Sequence, residues 1–452
     1  MVSFSLKKKK KKKKVLTLHL IHLVADADAE AEIRVHDGPD SRSPEIGHFR
    51  LRNDTRPQSI TTTRNSIWIV YSASAASRTV IQMELTSGYA KAYDLNVTDS
   101  LVSNNGVGGV LVENLRSLFH MQGSTVRENG ITGIRMLDGA GDVNVTRSTI
   151  ASNYGDGINM TYSGGRVNIS YSDVESNSGY GIVTWFNQTA NKIALQHHVI
   201  LAYNTFALNK WTAAVVGNFC SAGSVNVSSN VFNESRWNAV DILSCWKASA
   251  PVRDVFVGHN QFFGTERIAL QMLPAVSVSA VIEHNLFRNN RLGCLLIRNR
   301  DALELEILPA DILVTQNRFE RNSGLFVVNI GLSQYGETQK LLFIRNWIKR
   351  NTIRQAFASL HPRSRVAAVL VIGSSNVNVT RNMIDNPESR YEIGSQLEDH
   401  SERISAVRNW LGAKRERSIF YRIFDLKDRY NLAPVNIRNH SLNISLIKHF
   451  VN

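Results

Sequence analysis

One motif occurs twice in close succession in this chain, and its repetition constrains the fold more than any other feature. Residues 143–160 read VNVTRSTIASNYGDGINM, and residues 167–184 read VNISYSDVESNSGYGIVT. A unit of about 24 to 30 residues recurs about a dozen times, which is the signature of a repeat architecture. Further copies begin at residues 225, 255, 281, 312, 342, 377 and 404, and less regular copies begin near Leu95, Leu118 and Ala194.

Each copy starts with alternating apolar and polar residues, as in VNVT at residues 143–146, which is typical of a half-buried strand. A polar turn residue follows, usually Asn, and a large apolar residue stands two positions later. A second bend then opens a third short strand, as at Gly157 and Gly181. The turn residues are Asn230, Asn260, Asn285, Asn317, Asn346, Asn382 and Asn409, and the apolar residues are Ile150, Val174, Phe232, Phe262, Phe287, Phe319, Ile348, Ile384 and Leu411.

Three short strands separated by bends describe one coil of a parallel β-helix. Stacked coils pair their strands at about 4.8 Å and bury a continuous apolar core that no single coil can bury alone. The fixed offset between Asn and the apolar residue favours an internal ladder of amides over Asn acting only as a turn former. The leucine spacing of a leucine-rich horseshoe is absent, and a β-propeller needs longer units. We predict an all-β fold built on a right-handed, pectin-lyase-like parallel β-helix over residues 87–412.

Short strand-like segments separated by turns precede the repeats. They are Ile33–Pro39, Glu45–Phe49, Arg56–Ile60 and Asn65–Tyr71, the pattern of a small β-sandwich. Residues 33–86 resemble the second half of a CUB domain, with an aspartate-glycine turn and a penultimate strand of alternating apolar residues. The first half and the CUB cysteines are missing, so no metal ligand is carried over from that family.

Residues 1–32 combine the lysine run Lys7–Lys14 with the apolar segment Val15–Ala25. The segment imitates a secretory signal, and the lysines alone could be a nuclear-import patch. A mistranslated adenine-rich tract at a wrongly chosen start codon is the interpretation we favour, followed by the signal. No stretch approaches the ~20 apolar residues of a membrane span.

At the other end, residues 413–452 are predicted to form a helical cap and a C-terminal segment. KRERSIFYRIFDL, residues 414–426, is compatible with an amphipathic helix that covers the exposed final coil. The apolar residues of that pattern are Ile419, Phe420, Ile423, Phe424 and Leu426.

The formal net charge of +14 does not predict a nucleic-acid partner. Eight of these charges form the lysine run, and the remaining 14 − 8 = +6 show no second run along the sequence. No nucleic-acid-binding motif accompanies the charge.

Asn-x-Ser/Thr acceptors are more frequent than chance would give for this amino-acid composition, which favours a secreted or cell-surface glycoprotein. In the VNVT-type strands the acceptor Asn faces outward, because the alternation turns the valines inward. Asn144 and Asn168 would lie on adjacent coils, too close for two full glycans, so we expect partial occupancy there. The acceptors are Asn53, Asn96, Asn144, Asn159, Asn168, Asn187, Asn226, Asn233, Asn378, Asn439 and Asn443.

The three cysteines exclude a disulfide-built scaffold. Cys220 and Cys245 stand at the same offset in successive coils, where equivalent positions lie near 4.8 Å, within the Cα range of a disulfide. We predict that bond over two free thiols, and a buried apolar role for Cys294.

Catalysis by a parallel β-helix needs carboxylates clustered on adjacent coils, either to hold calcium or to act as acid and base. Here the aspartates stand at different offsets, and the Asn-Thr-Asp and Gly-His-Gly motifs of polygalacturonases are absent. The adjacent His197 and His198 would point to opposite faces of a strand. We predict no catalytic residue, no cofactor and no metal site. The aspartates are Asp138, Asp142, Asp156, Asp173, Asp241 and Asp254.

Linked motifs resemble the Bark beetle (Anakonda) family over about residues 33–434. They are LTSGYAKAYDLNVT at 85–98, DGAGDVNVT at 138–146, WFN at 185–187, VGNFC at 216–220 and ILSCW at 242–246. Members of that family are very large single-pass membrane proteins that organise epithelial junctions at corners where three cells meet. The resemblance implies a non-catalytic adhesive part of such an ectodomain, at the extracellular side of the plasma membrane in cell junctions.

The resemblance also implies partners, namely other junctional ectodomains, homotypic contacts among them, and cell-surface glycans. A membrane connection would run through a span absent from this chain. The alternative function is a carbohydrate-binding or polysaccharide-degrading β-helix.

Overall fold

The protein divides into two compact units, Met1–Ala190 and Asn191–Asn452, called here the N-terminal and C-terminal units. The computed structural model describes residues 2–5, 16–25, 31–36, 42–51, 58–61, 67–73, 79–87, 95–106, 108–113, 115, 117–162, 165–186, 197–219, 223–244, 252–273, 278–298, 310–331, 339–354, 367–412 and 416–437.

The N-terminal unit begins with seven strands in two antiparallel groups. These are β1 (Val2–Ser5), β2 (Leu16–Ala25), β3 (Ala31–His36), β4 (Glu45–Leu51), β5 (Gln58–Thr61), β6 (Ile67–Ala73) and β7 (Thr79–Ser87). β3 pairs with β4 and β6, and β6 pairs with β1, while β2 pairs with β5 and β7. The apolar segment of the N-terminus is therefore part of β2, the lysine run lies outside the described residues, and the CUB-like origin of this region remains a prediction.

Four coils follow in the N-terminal unit, each with three strands that we call a, b and c. The a strands are β8 (Leu95–Thr98), β11 (Leu118–Gln122), β14 (Asp142–Thr146) and β17 (Gly165–Ser170); the b strands are β9 (Leu101–Ser103), β12 (Thr125–Arg127), β15 (Thr149–Ala151) and β18 (Asp173–Glu175); the c strands are β10 (Gly108–Glu113), β13 (Thr132–Gly139), β16 (Ile158–Tyr162) and β19 (Ile182–Phe186). Equivalent strands of successive coils pair in parallel, and antiparallel β1 covers the outer edge of β8. The first coil thus has no bare a-strand edge.

The register of these coils matches the repeat in the sequence. Val143 lies opposite Val167, Ile150 opposite Val174, and Ile158 opposite Ile182. These inward-facing side chains are at most 1% exposed. The predicted parallel β-helix, with its alternating inward valines, is confirmed in this unit.

The C-terminal unit continues the same three-strand coil. Its a strands are β20 (His197–Ala202), β23 (Gly223–Ser228), β26 (Val252–Gly258), β29 (Val278–Glu283), β32 (Ala310–Thr315), β36 (Gln339–Ile344), β40 (Val377–Thr380), β43 (Ile404–Ser405) and β45 (Val435–Asn436); its b strands are β21 (Thr205–Ala207), β24 (Val231–Asn233), β27 (Gln261–Phe263), β30 (Leu286–Arg288), β33 (Arg318–Glu320), β37 (Trp347–Lys349) and β41 (Met383–Asp385); its c strands are β22 (Ala214–Phe219), β25 (Val240–Ser244), β28 (Ile268–Leu273), β31 (Gly293–Arg298), β35 (Val328–Gly331), β39 (Leu370–Ile372), β42 (Ile393–Ser395) and β44 (Ile423–Phe424). Two short strands, β34 (Ser323–Gly324) and β38 (Thr352–Ile353), pair outside this pattern.

A column of stacked phenylalanines fills the core of the C-terminal unit beneath the b strands. Phe206, Phe232, Phe262, Phe287 and Phe319 are fully buried. The ring centroids of consecutive members lie 4.8, 5.0, 4.6 and 4.7 Å apart, with interplanar angles of 5° to 7°. The predicted core position two residues after each turn Asn is confirmed, and the coil spacing sets the stacking distance.

The turn between strands a and b holds the predicted amide ladder. Asn260 shows its geometry. Its Oδ1 accepts the backbone N–H and the side-chain N–H of Asn230 at 2.9 and 3.0 Å. Its own Nδ2 donates to Asn285 Oδ1 and to the carbonyl of Val227, at 3.0 and 2.7 Å. Every buried polar atom of the amide is therefore satisfied. The same rung repeats at Asn204, Asn230, Asn285, Asn317, Asn346, Asn382 and Asn409.

The sequence analysis missed a second ladder, in the turn between strands b and c. In the N-terminal unit Asn153 Oδ1 accepts two N–H groups of Asn129, and Asn177 Oδ1 accepts two of Asn153. In the C-terminal unit Asn290, Asn322, Asn351 and Asn386 form the same chain. In both ladders the residue before a rung commonly has a positive φ, as Ser229 does with 56° before Asn230. This turn conformation brings the following side chain into the ladder.

The predicted C-terminal helix over 414–426 is shorter than the apolar pattern indicated. Helix α1 spans only Glu416–Phe420, and the following Ile423 and Phe424 form β44, which pairs with β42. The open edge of β42 offers backbone hydrogen bonds to Ile423 and Phe424, and these bonds would be lost if the helix continued for another turn. Ile419 and Ile423 are 1% exposed, whereas Phe420 and Leu426 are 48% and 37% exposed.

A buried ion pair ends the second ladder. Glu392, fully buried, accepts the backbone and side-chain N–H groups of Asn386 at 2.7 Å. Arg422 Nη2 lies 2.6 Å from Glu392 Oε1 and donates to the carbonyl of Asn386. Burial raises the pKa of Glu392, and Arg422 and Asn386 act in the opposite direction. The carboxylate thus takes the place of the Asn that a further coil would supply.

Asn260→Ala is expected to lower the free energy of unfolding by about 2–4 kcal/mol, because it leaves two buried N–H groups of Asn230 without an acceptor. The matched control is Gln261→Ala, at the exposed neighbouring position, with an expected loss below about 0.5 kcal/mol. Chemical denaturation of both variants measures the difference. Equal midpoints for the two would show that the ladder does not hold the coils together.

Candidate functional site

The outward face of the a strands in the N-terminal unit carries predicted glycan acceptors that bond to one another. Asn168 Nδ2 donates to Asn144 Oδ1 at 2.8 Å, and Asn144 Nδ2 lies 3.0 Å from His120 Nδ1. Both amide nitrogens, the atoms that a glycan would modify, are already engaged. The close approach expected for these two coils is confirmed, while glycan occupancy remains a prediction.

The other acceptors differ in exposure. Asn378 on β40 is exposed, Asn96, Asn226 and Asn233 are half-buried, and Asn159 donates from Nδ2 to Asp156 Oδ2 at 2.7 Å. Asn53, Asn187, Asn439 and Asn443 lie outside the described residues.

The cysteine predictions have different outcomes. Cys220 and Cys245 lie outside the described residues, so their disulfide remains a prediction. Cys294 is a fully buried free thiol whose pKa burial raises well above its usual range. Its predicted place in the core is confirmed.

The aspartates considered for catalysis are spread over the described coils. Asp142 accepts the backbone N–H of Arg166, and Asp156 accepts that of Tyr180, each at 2.9 Å. Asp173 and Asp254 are exposed. Of the histidine pair, His198 Nδ1 lies 2.8 Å from Ser224 Oγ. Among the described residues, no three His, Cys, Asp or Glu side chains are grouped to hold a metal ion. Nor does the described part of the chain contain a helix of the length and apolarity needed to cross a bilayer.

Asp241, on β25, is buried, in contrast to the exposed Asp173 and Asp254; it is 7% exposed. Its Oδ1 accepts from Asn238 Nδ2 at 2.8 Å, and its Oδ2 accepts from the Thr212 hydroxyl at 3.1 Å. Burial raises the pKa of Asp241 to about 6, because two neutral donors do not replace the hydration of the charged form. The sequence pattern contained no sign of this burial.

Basic side chains of the C-terminal unit gather in a groove of about 780 Å³ on the turn between strands b and c. We call it the arginine groove. It is lined by Arg288, Arg291, Arg321 and Arg354, with Glu234 and Phe263 on the same wall. Arg288 ends β30, and Arg321 lies one residue beyond the end of β33, with a φ of 55°.

Two local features make this surface concave. Gly264, with a φ of 65°, holds the turn position that Glu234 and Asn289 hold in adjacent coils, so the floor lacks one side chain. Two coils further on, Ser323–Gly324 forms β34 and pairs with β38, and Ser323 and Arg354 from this segment line the groove.

An exposed aromatic pair lies on the same turn, close to the groove along the chain. Trp211 and Trp237 occupy equivalent positions in successive coils and are 53% and 43% exposed, with ring centroids 6.5 Å apart. Arg267, from the next coil, places its guanidinium carbon 3.1 Å from the centre of the Trp237 ring. A guanidinium thus covers one face of the Trp237 ring, and both rings remain partly exposed on this turn.

The groove does not show in the sequence as a run of basic residues. Arg288, Arg321 and Arg354 are separated by a full coil each along the chain, and only the stacking brings them together. Alignment of the coils on the second amide ladder is the signal that could have found them, because each arginine lies within three residues of a rung, Asn290, Asn322 or Asn351.

Asp241 makes stability depend on pH. The folded-state pKa of about 6 lies above the ordinary 3.8, so between these values only the unfolded chain ionises, and stability falls as pH rises. Above about pH 6 the cost is about 3 kcal/mol. Asp241→Asn should therefore raise the melting temperature at pH 7 and leave it nearly unchanged at pH 4. The exposed Asp311→Asn is the control, and an equal effect of Asp241→Asn at both pH values would contradict this assignment.

When the chain is secreted from eukaryotic cells, we expect Asn378 to carry more glycan than Asn144 or Asn168. The Asn378 side chain is exposed, whereas the amide nitrogens of the other two are hydrogen-bonded. Mass spectrometry of glycopeptides measures the occupancy. His120→Ala should raise occupancy at Asn144 by freeing its Nδ2. Full occupancy of Asn144 and Asn168 in the unaltered chain would contradict the prediction.

Comparison with known proteins gives one family model, one solved structure and one relative that this chain resembles. Residues 79–249 match the family described as a right-handed β-helix region. The solved catalytic unit of a thermostable GH87 α-1,3-glucanase from Streptomyces thermodiastaticus strain HF3-3 aligns at a TM-score of 0.28 and 8% identity, over 87% of this chain and 84% of that one, a score too low to support an inference about activity. Protein bark beetle of Drosophila melanogaster is 40% identical over 438 residues, which cover 91% of this chain and 14% of that protein. This chain is therefore similar to protein bark beetle over most of its own length, and it spans about 14% of the length of that relative.

Proposed function

We propose that this chain is a non-catalytic, extracellular adhesive segment of a large junctional membrane protein. In this role it contributes to the organisation of junctions where three epithelial cells meet and to the barrier they form. The observation that carries the proposal is the 40% identity to protein bark beetle over 91% of the chain.

The described architecture suits such a role. Two amide ladders and a stacked core hold each coil of the C-terminal unit in place, so side chains at equivalent positions recur at about 4.8 Å along its surface. A stiff surface with repeated positions can bind a partner at several points at once, and weak contacts then add to a strong attachment.

The competing candidate is a polysaccharide-cleaving β-helix. The dispersed aspartates argue against it, since bond cleavage by acid and base needs two carboxyl groups facing one glycosidic bond. In the described coils Asp142 and Asp156 accept backbone N–H groups at separate places, and Asp241 is buried.

Replacement of the matching stretch in Drosophila protein bark beetle by this chain tests the junctional role. We expect the chimera to accumulate at three-cell corners and to restore the barrier to dye in epithelia that lack the endogenous protein. A protein with the stretch deleted should do neither, and it serves as the control. A chimera that reaches the cell surface yet stays away from the corners would refute the proposal.

The same purified chain, incubated with polyuronides and α-glucans, is expected to release neither unsaturated products nor new reducing ends. If either product is released, and if substitution of aspartates in the chain abolishes that release, the polysaccharide-cleaving alternative is established instead.

A further inference from the structure

The charge of the arginine groove is not neutralised by the protein. Among the described residues, Arg288, Arg321 and Arg354 have no carboxylate partner, and the Nε of Arg288 is buried without a hydrogen bond. Guanidiniums that line one groove repel one another, which costs free energy unless an anion lies between them. The groove is therefore built for a ligand that brings negative charge.

Nearby acidic residues do not neutralise Arg288, Arg321 and Arg354. Glu320 faces Arg318 and Lys349 at 2.7 and 3.6 Å, and both cations lie on the b strands outside the groove lining. Glu266 pairs with Arg291 at 3.5 Å, in an exposed contact of small energetic value. Glu234 is the single carboxylate among the lining residues.

The backbone beside the groove excludes one class of anionic partner. β27 pairs with β24 and β30, and β30 pairs with β27 and β33, so these b strands have no free edge. An acidic peptide could not add to them as an extra strand, the mode in which extended peptides gain main-chain hydrogen bonds. Side chains alone must hold the ligand.

The groove and the tryptophan pair together fit a polysaccharide. Guanidiniums bind carboxylate and sulfate groups through two parallel hydrogen bonds, and three successive coils contribute one such donor each. Trp211 and Trp237 are 53% and 43% exposed on the adjoining turn, stacked on one another with Arg267 over the Trp237 ring, and the exposed edges of the pair can contact sugar rings. A polymer that combines sugar rings with anionic groups matches both surfaces.

We propose that the arginine groove binds an acidic polysaccharide, sulfated or carboxylated, through Arg288, Arg321 and Arg354. The proposal rests on the extracellular placement under Proposed function and names a partner for it. The ligand lies across the coils over β24, β27, β30 and β33, and the tryptophan pair extends its path.

Binding of a heparin oligosaccharide to the full chain, measured by calorimetry, tests the site. The triple variant Arg288→Gln, Arg321→Gln and Arg354→Gln is expected to lose at least about tenfold in affinity. The matched control carries Arg381→Gln, Arg403→Gln and Arg408→Gln, three exposed arginines outside the groove, and should stay within about twofold of the unaltered chain. Thermal unfolding of both variants checks that they are folded.

Asn233→Gln is included in both triple variants and in a reference chain that is otherwise unaltered, because Asn233 lines the groove and is a glycan acceptor. Affinity should fall as salt rises, since binding releases counterions. Hyaluronan, which carries only carboxylates, separates that source of charge from the sulfates of heparin; binding of either probe that depends on the groove supports the proposal.

Three results would overturn it. Equal losses in both triple variants would mean nonspecific attraction to net charge, and equal affinity for poly-L-glutamate would mean a peptide site. Absence of heparin and hyaluronan binding by the unaltered chain would remove the site altogether. A chain that binds neither probe but still supports accumulation at three-cell corners would refute this inference and leave the proposed function standing.

Discussion

The structure depends on the side-chain amide of asparagine, placed in a turn where it is buried. One amide offers two donors and one acceptor, and in each rung all of these groups meet partners on adjacent coils, as Asn260 does with Asn230, Asn285 and Val227. A turn buried without such partners would leave its backbone N–H groups unsatisfied. The ladders therefore allow tight, buried turns, and tight turns allow strands of only three residues.

The ladders also decide what the surface can do. The residue before most rungs adopts a positive φ, as His259 does at 58° and His284 at 53°, and both of these side chains are exposed. Stacking lines up such residues, so that the two imidazole rings lie 4.9 Å apart. Glycine at this position removes a side chain, and Gly264 does so at the floor of the arginine groove. The interaction that stabilises the coils thus also creates rows of side chains from residues distant in sequence.

The similarity to protein bark beetle and this surface point in one direction. Catalysis needs a few groups placed together, and the described carboxylates are apart, whereas adhesion needs repeated contacts along a stiff support. The Glu392–Arg422 pair further shows that a charged group inside these coils can serve the structure, because Glu392 accepts the last N–H groups of the second ladder from Asn386. The arginines that remain without partners lie at the surface, where a ligand can reach them.

Much of the fold could be predicted from the sequence, because the coil is a local pattern. Alternating valines at Val143 and Val145, the turn Asn and the apolar residue two positions later each specify a side-chain direction, and the structure confirms them. The pattern failed where a neighbouring coil decides the outcome. Ile423 joined a strand because β42 offered an open edge, and Ser235 and Thr265 stand at positions of the second ladder although their buried hydroxyl groups form no hydrogen bond.

The sequence by itself thus determined the coil and its core, since these depend on residues close together in the chain, and it determined the similarity to a relative. Only the tertiary structure decided which distant residues share a surface. Arg288, Arg321 and Arg354 line one groove because parallel pairing stacks β30 on β33 and β33 on β37, which brings turns that are far apart in the chain side by side.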